Sequence, residues 1–242
     1  MDDQDWRLKV WGTVSERTRL PGGGLAEKGS VCKVVSVVNI NKKKKTLTIP
    51  VPELAALYIS SSKRAWDEYR EIRFRSKIDS SIKGDVCFTS DEDAFDALER
   101  LSLSIVMAYS AIEAFCNDSI PNEHEYWHHK KSQVLVEKSD KDEIERKFST
   151  VDKLNTVLPE IYGVKPPKGK RAWQSYSSLK SVRDGLIHAK SKQTRSVGNV
   201  RQNLWDDVFL LCAPYKLAKD VFDWYLAPQK NDLPKWYLKY PK

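Results

Sequence analysis

Apolar positions recur at every second residue along much of the first fifty residues, and beyond Pro52 they recur at three- and four-residue steps. Leu8 to Val14 alternates, Val31 to Ile40 is rich in β-branched side chains, and Thr46-Leu47-Thr48-Ile49 follows the turn-like run Asn41-Lys42-Lys43-Lys44-Lys45. Branched side chains suit a pleated, half-buried surface, so this stretch predicts a small antiparallel β unit with Pro21-Gly22-Gly23-Gly24 as a loop inside it. From Pro52 onward, Leu54, Leu57, Tyr58, Trp66, Tyr69, Ile72 and Phe74 mark a helix whose other faces carry Lys63, Arg64, Arg70, Arg73, Arg75 and Lys77. A second helix begins behind Ser90, a good N-cap, with Asp91, Glu92 and Asp93 in its first turn, and Pro121 stops it about thirty residues later. Further helices are predicted over about 141 to 161, 171 to 190 and 201 to 226. The fold expected is mainly α: an up-and-down helical bundle over residues 51–228, a β-rich appendage over 1–50 and a C-terminal tail over 229–242.

Composition permits such a core. The chain has 242 residues, 40% of them apolar, with eight Trp and ten Tyr. Lys and Arg number 41 against 33 Asp and Glu, a formal charge of +8 that favours a polyanionic partner without defining a site for one. Cys32, Cys87, Cys116 and Cys212 are widely spaced, which indicates neither a zinc knuckle nor a disulfide framework and fits a reducing compartment. The acidic start Met1-Asp2-Asp3-Gln4-Asp5 lacks an export core, and no uncharged run reaches bilayer length, so the expectation is a cytoplasmic chain with no membrane contact.

Candidate chemistry centres on Ser181-Val182-Arg183-Asp184-Gly185-Leu186-Ile187-His188. Histidine takes and gives protons near neutral pH, while arginine presents a permanent planar fork that matches phosphate oxygens. Five helical positions turn the second side chain roughly 140° from the first, so one helix places the pair poorly. Two helices meeting at a twofold axis present both residues twice in one cleft. Gly185 between them weakens the helix by roughly 1 kcal/mol relative to Ala and permits close approach of a second backbone. Upstream, Ala111-Ile112-Glu113-Ala114-Phe115-Cys116-Asn117 places Glu113 and Asn117 on one helical face, and a lone Glu there calls for a partner, for which Arg183 is the candidate.

Arg183-x4-His188 together with this upstream Ala-x-Glu-Ala-Phe-x-Asn pattern resembles the HEPN superfamily of ribonucleases, over roughly residues 90 to 226. The resemblance implies a HEPN-like bundle, a homodimer with a composite active site, and metal-independent RNA cleavage with no cofactor. It also implies products with a 2',3'-cyclic phosphate and a 5'-hydroxyl, and a role as a toxin or antiviral-defence effector with an antitoxin or defence-system partner protein. Arg183 and His188 would then be catalytic, Glu113, Asn117 and Asp184 would support them, and Lys190, Lys192, Arg195 and Arg171 would touch RNA. Two alternatives stay open. One is a non-catalytic RNA-binding, nucleotide-binding or interaction module. The other is a zinc metallopeptidase through His124-Glu125-Tyr126-Trp127-His128, which matches H-E-x-x-H but sits between Pro121 and the charged His129-Lys130-Lys131.

Overall fold

The structure is a computed structural model that describes residues 5–9, 12–20, 23–32, 35–40, 45–78, 84–129, 136–189, 204–230 and 233–240. The chain is mainly helical, with small antiparallel sheets, and its contacts divide it into Met1–Leu57 with Leu233–Lys242, and Tyr58–Asp232.

In the first unit, β1 (Gly12–Thr13), β2 (Thr18–Arg19), β3 (Leu25–Ala26), β4 (Val31–Cys32), β5 (Val35–Ile40) and β6 (Lys45–Pro50) pair as β1 with β4, β2 with β3 and β5 with β6. The β5–β6 register runs from Val35 opposite Pro50 to Ile40 opposite Lys45. A half-buried surface was expected here, yet Val37, Val38, Leu47 and Ile49 are exposed, because a ribbon of two strands has no second layer to cover either face. Lys42, Lys43 and Lys44, and with them most of the lysine run, lie outside the described residues, as do Pro21 and Gly22. At the other end of the chain, Tyr240 meets Trp6 edge to face at 5.7 Å, and Trp236 is buried. Residues 233–242, read from sequence as a separate tail, thus group with the N-terminal residues.

The second unit is built on helices. Helix α1 (Leu54–Arg75) and α2 (Asp91–Asp118) approach closely through two small residues: Ser62 Oγ donates to the Ser104 carbonyl at 2.8 Å and Ser104 Oγ to the Ser62 carbonyl at 2.9 Å, both side chains fully buried. Ser90 caps α2 as its sequence predicts, accepting the Asp93 backbone N–H at 3.1 Å, with Asp91, Glu92 and Asp93 in the first turn. A hairpin of β7 (Tyr126–His129) and β8 (Val136–Ser139) follows. The predicted helix over 141 to 161 is interrupted. It comprises α3 (Lys141–Lys147), an extended Phe148, α4 (Thr150–Asp152), a π turn over Lys153–Val157 and α5 (Leu158–Tyr162). Next come α6 (Arg171–Ile187), α7 (Leu204–Leu210) and α8 (Pro214–Leu226). The single helix predicted over 201 to 226 is two, because Pro214 has no N–H to continue a ladder and is accommodated only in the first turn of a new helix.

Helices α2, α6 and α8 pack on one another and form the centre of this unit. Phe115 of α2 meets Phe222 at 5.1 Å and Tyr225 at 6.0 Å, both on α8, while Tyr109 of α2 stacks on Tyr176 of α6 at 6.0 Å. Burial raises the Tyr176 phenol well above its ordinary range, so it stays protonated and serves as a packed ring with a polar tip. Tyr225 donates its hydroxyl to the Leu154 carbonyl, tying α8 to the π turn. No helix among the described residues is long and apolar enough to cross a membrane.

Candidate functional site

Tyr109 and Tyr176 form the floor on which the candidate site rests. Tyr109 is 4% exposed, with one face against Tyr176; the Arg183 guanidinium lies over the Tyr109 ring, 3.6 Å from its centroid. A planar cation stacked on an electron-rich ring gains a quadrupole attraction of about 0.5–2 kcal/mol, depending on how far water is excluded. Two carboxylates then fix its rotation: Asp184 Oδ1 lies 2.8 Å from Nη1 and Glu113 Oε1 lies 3.5 Å from Nη2. The partnership expected between Glu113 and Arg183 is formed, though Glu113 is half-exposed rather than buried, with 45% of its side chain open to water. Thr150 Oγ1 donates to the same Glu113 oxygen at 3.3 Å, and Lys180 pairs with the second oxygen of Asp184. Arg183 retains 19% side-chain exposure, enough to meet a ligand from one side.

One turn further along α2, Asn117 Oδ1 accepts a hydrogen bond from Lys153 Nζ at 2.7 Å, and the same ammonium donates to the Glu145 carbonyl at 2.9 Å. Lys153 is 5% exposed and had no role in the sequence reading. The π turn that aims it inward has no sequence signature; the one available cue was a lysine set directly before the apolar Leu154. Arg183, Lys180 and Lys153 supply three cations that face three carboxylates, Glu113, Asp184 and Glu145, so the charges of the cluster balance.

Burial lowers the Lys153 pKa, partly offset by nearby Glu145 and Glu113. The folded state therefore binds this proton less tightly than the unfolded chain, where the value is about 10.4. The resulting penalty is full below the folded pKa and is relieved as pH rises through it toward the unfolded one. Denaturant unfolding of the wild type and of Lys153→Met, compared at successive pH values from neutral upward, should show the wild type gaining stability relative to the variant. Parallel curves would rule out a charged, buried Lys153.

His188 occupies the C-cap of α6, its backbone N–H donating to the Asp184 carbonyl at 2.9 Å. Its imidazole is exposed and makes no hydrogen bond or ion pair among the described residues. Within one chain, then, Arg183, Asp184, Glu113 and the neighbouring Asn117 are brought together, and the imidazole of His188 is not among them. Gly185 does allow a close approach, but from within the chain: a Cβ there would come 2.9 Å from Leu204 Cδ1 at the start of α7. Arg171 lies twelve residues before Arg183, roughly 18 Å along the helix. It pairs there with Asp220 at 3.2 Å and stands apart from the cluster. Lys190, Lys192 and Arg195 lie outside the described residues.

The H-E-x-x-H segment does not form the metal-binding helix that a metallopeptidase requires. Tyr126–His129 is a strand, in which four residues advance the chain by about 13 Å rather than one helical turn. His128 Nε2 lies 3.0 Å from Ser139 Oγ, and Glu125 pairs with Lys138. His124 Nε2 is buried without a hydrogen-bond partner among the described residues. No group of three or more His, Cys, Asp or Glu side chains able to hold a metal ion occurs among the described residues. The aromatic neighbours Tyr126 and Phe148, each within 6.1 Å of the His128 ring, give that histidine a packing role instead.

Compared with protein-family models, with curated proteins and with solved structures, the chain matches none.

Proposed function

We propose that this chain is a metal-independent RNA endonuclease of the HEPN type, acting as a toxin or antiviral-defence effector, with a composite active site between two copies. One observation carries the reading: an arginine clamped by a ring and two carboxylates precedes by five residues a solvent-facing histidine at the end of the same helix. A clamped guanidinium is a preorganised electrostatic stabiliser, and it loses little freedom on meeting the phosphate. Because the exposed His188 imidazole contacts no member of its own Arg183 cluster among the described residues, a second copy of α6 is the natural source of the missing partner. Twofold symmetry then supplies two guanidinium–imidazole pairs at once.

The reaction follows from these groups. The ribose 2'-oxygen attacks phosphorus as one His188 imidazole takes its proton. Arg183 faces the charge that builds on the equatorial oxygens. The bond from phosphorus to the 5'-oxygen breaks, that oxygen takes a proton from water, and the imidazolium gives its own proton up to solvent. The products are a 2',3'-cyclic phosphate and a 5'-hydroxyl, and no electron donor or acceptor is required.

Incubating the purified chain with RNA in excess chelator should give fragments bearing those two ends. Ends carrying a 5'-phosphate, or cleavage lost in chelator and restored by a divalent ion, would contradict the proposal. A second reading, a non-catalytic RNA-binding, nucleotide-binding or interaction module, is favoured by the engagement of Arg183 with Glu113 and Asp184, which lowers its free charge. It predicts salt-sensitive RNA binding with no cut product at any chain concentration.

A further inference from the structure

The last two turns of α1 carry a basic stripe beside an aromatic hollow, remote in sequence from Arg183. Trp66, Arg70 and Arg73 are spaced four and three residues apart and so share one face of the helix, which ends at Arg75, two residues before Lys77. Arg73 lies over the Tyr69 ring, 5.7 Å from its centroid. Tyr69 and Phe88 each stand 6.4 Å from Phe209, and with Ile78 and Val86 these residues line an open cavity of about 300 Å³, a size that suits one small planar ligand. Val86 and Phe209 stay partly exposed in it. The neighbouring cations Lys63 and Arg75 are taken up by Asp67 and Asp93, whereas Arg70 and Lys77 have no acidic partner among the described residues.

Lys77 adds a second, independent sign. Ile78 N–H donates to the Arg73 carbonyl at 2.8 Å and Lys77 N–H to that of Phe74 at 3.0 Å, a helix ending that places residue 77 in the left-handed region, φ 55°. Glycine adopts that conformation without steric penalty and lysine does not, so Lys77 carries a steric cost there that glycine would relieve.

We propose that this hollow binds a nucleotide: a base lies on Phe88 and Phe209, and its phosphate meets Arg70, Arg73 and Lys77. An apolar ring set with cations on one rim is complementary to a planar base joined to an anion, and stacking on aromatic side chains tolerates any base. The nucleotide is either one residue of a single RNA strand or a free mononucleotide. The RNA source rests on the proposed function; the pocket itself does not.

The test uses the full-length His188→Ala chain, so that binding is read without cleavage and a failure of the nuclease reading leaves this result standing. Anisotropy with labelled single-stranded oligouridylate and oligoadenylate, and calorimetry with AMP, form the two arms. Phe88→Ala should weaken binding about 5- to 150-fold, the range that loss of one stacked base contact gives. Lys77→Gly should raise the melting temperature while weakening binding, which a purely structural lysine would not do. Arg70→Gln should reduce the slope of log affinity against log salt by about 0.7 if the ligand is a strand. RNA binding with negligible AMP affinity identifies the strand as the source, and AMP binding identifies the free nucleotide. Unchanged affinity in Phe88→Ala and Lys77→Gly overturns the proposal. So does self-association of the His188→Ala chain that Phe88→Ala abolishes while RNA and AMP fail to bind, since the hollow is then a protein contact.

Discussion

Replacing His188 with alanine should lower RNA cleavage about 10²- to 10⁴-fold, the range that a positioned general acid or base contributes. Folding should be unaffected. The imidazole is exposed and unpaired among the described residues, and exposed positions of this kind change stability by no more than about 0.5 kcal/mol. Only the backbone N–H of His188 is structural, and alanine keeps it donating to the Asp184 carbonyl. Cleavage rates and thermal melts of the two chains, measured on one RNA, read both halves of this expectation. A variant that cuts at the wild-type rate removes the histidine from the chemistry, whatever the arginine does.

The second large effect lies at Arg183, and it should differ in kind. Arg183→Ala removes a preorganised donor facing the phosphate, worth about 10²- to 10³-fold in rate by analogy with other oxyanion-stabilising groups. The same change uncovers the Tyr109 face and leaves Glu113 and Asp184 without their shared cation, so a stability loss of about 1 kcal/mol should accompany it. Arg183→Lys restores a charge but not a plane that stacks on the ring while reaching both carboxylates. It should therefore recover part of the stability and little of the rate. The contrast separates a catalytic arginine from a merely structural one: if Arg183→Lys recovers rate and stability together, the guanidinium serves only to hold α6 on α2.

Much of the helical framework was legible because its signals are local. Ser90 followed by three acidic residues marks a helix start, and the small and apolar run from Leu101 to Cys116 marks a face that must be covered. The Glu113–Arg183 contact was legible for a related reason, since a carboxylate on such a helix calls for a cation. Other features depend on tertiary context. Phe74 continues the apolar rhythm of α1 yet is 85% exposed, because a period of three or four cannot show which face finds a neighbour. The segment from His124 to His129 could be read as a helix from its motif, but its last four residues pair with Val136–Ser139 as a strand, a choice made by partners seven to thirteen residues away. Lys153 reaches Asn117 only because the π turn redirects it. His188 is the case in which a helix ends three residues short of the predicted boundary: at the C-cap, the ideal helical angle between it and Arg183 no longer applies strictly.

If catalysis needs Arg183 from one copy and His188 from its mate, two impaired variants should restore each other when mixed. Arg183→Ala and His188→Ala, combined in equal amounts and allowed to exchange subunits, form heterodimers in about half of the population, and each heterodimer retains one intact pair of two. Cleavage should return to about a quarter of the wild-type level, although either variant alone cuts at no more than about a hundredth of it. A mixture that remains inactive while heterodimers are present, or a wild-type chain that cuts RNA at full rate as a monomer, would contradict the account.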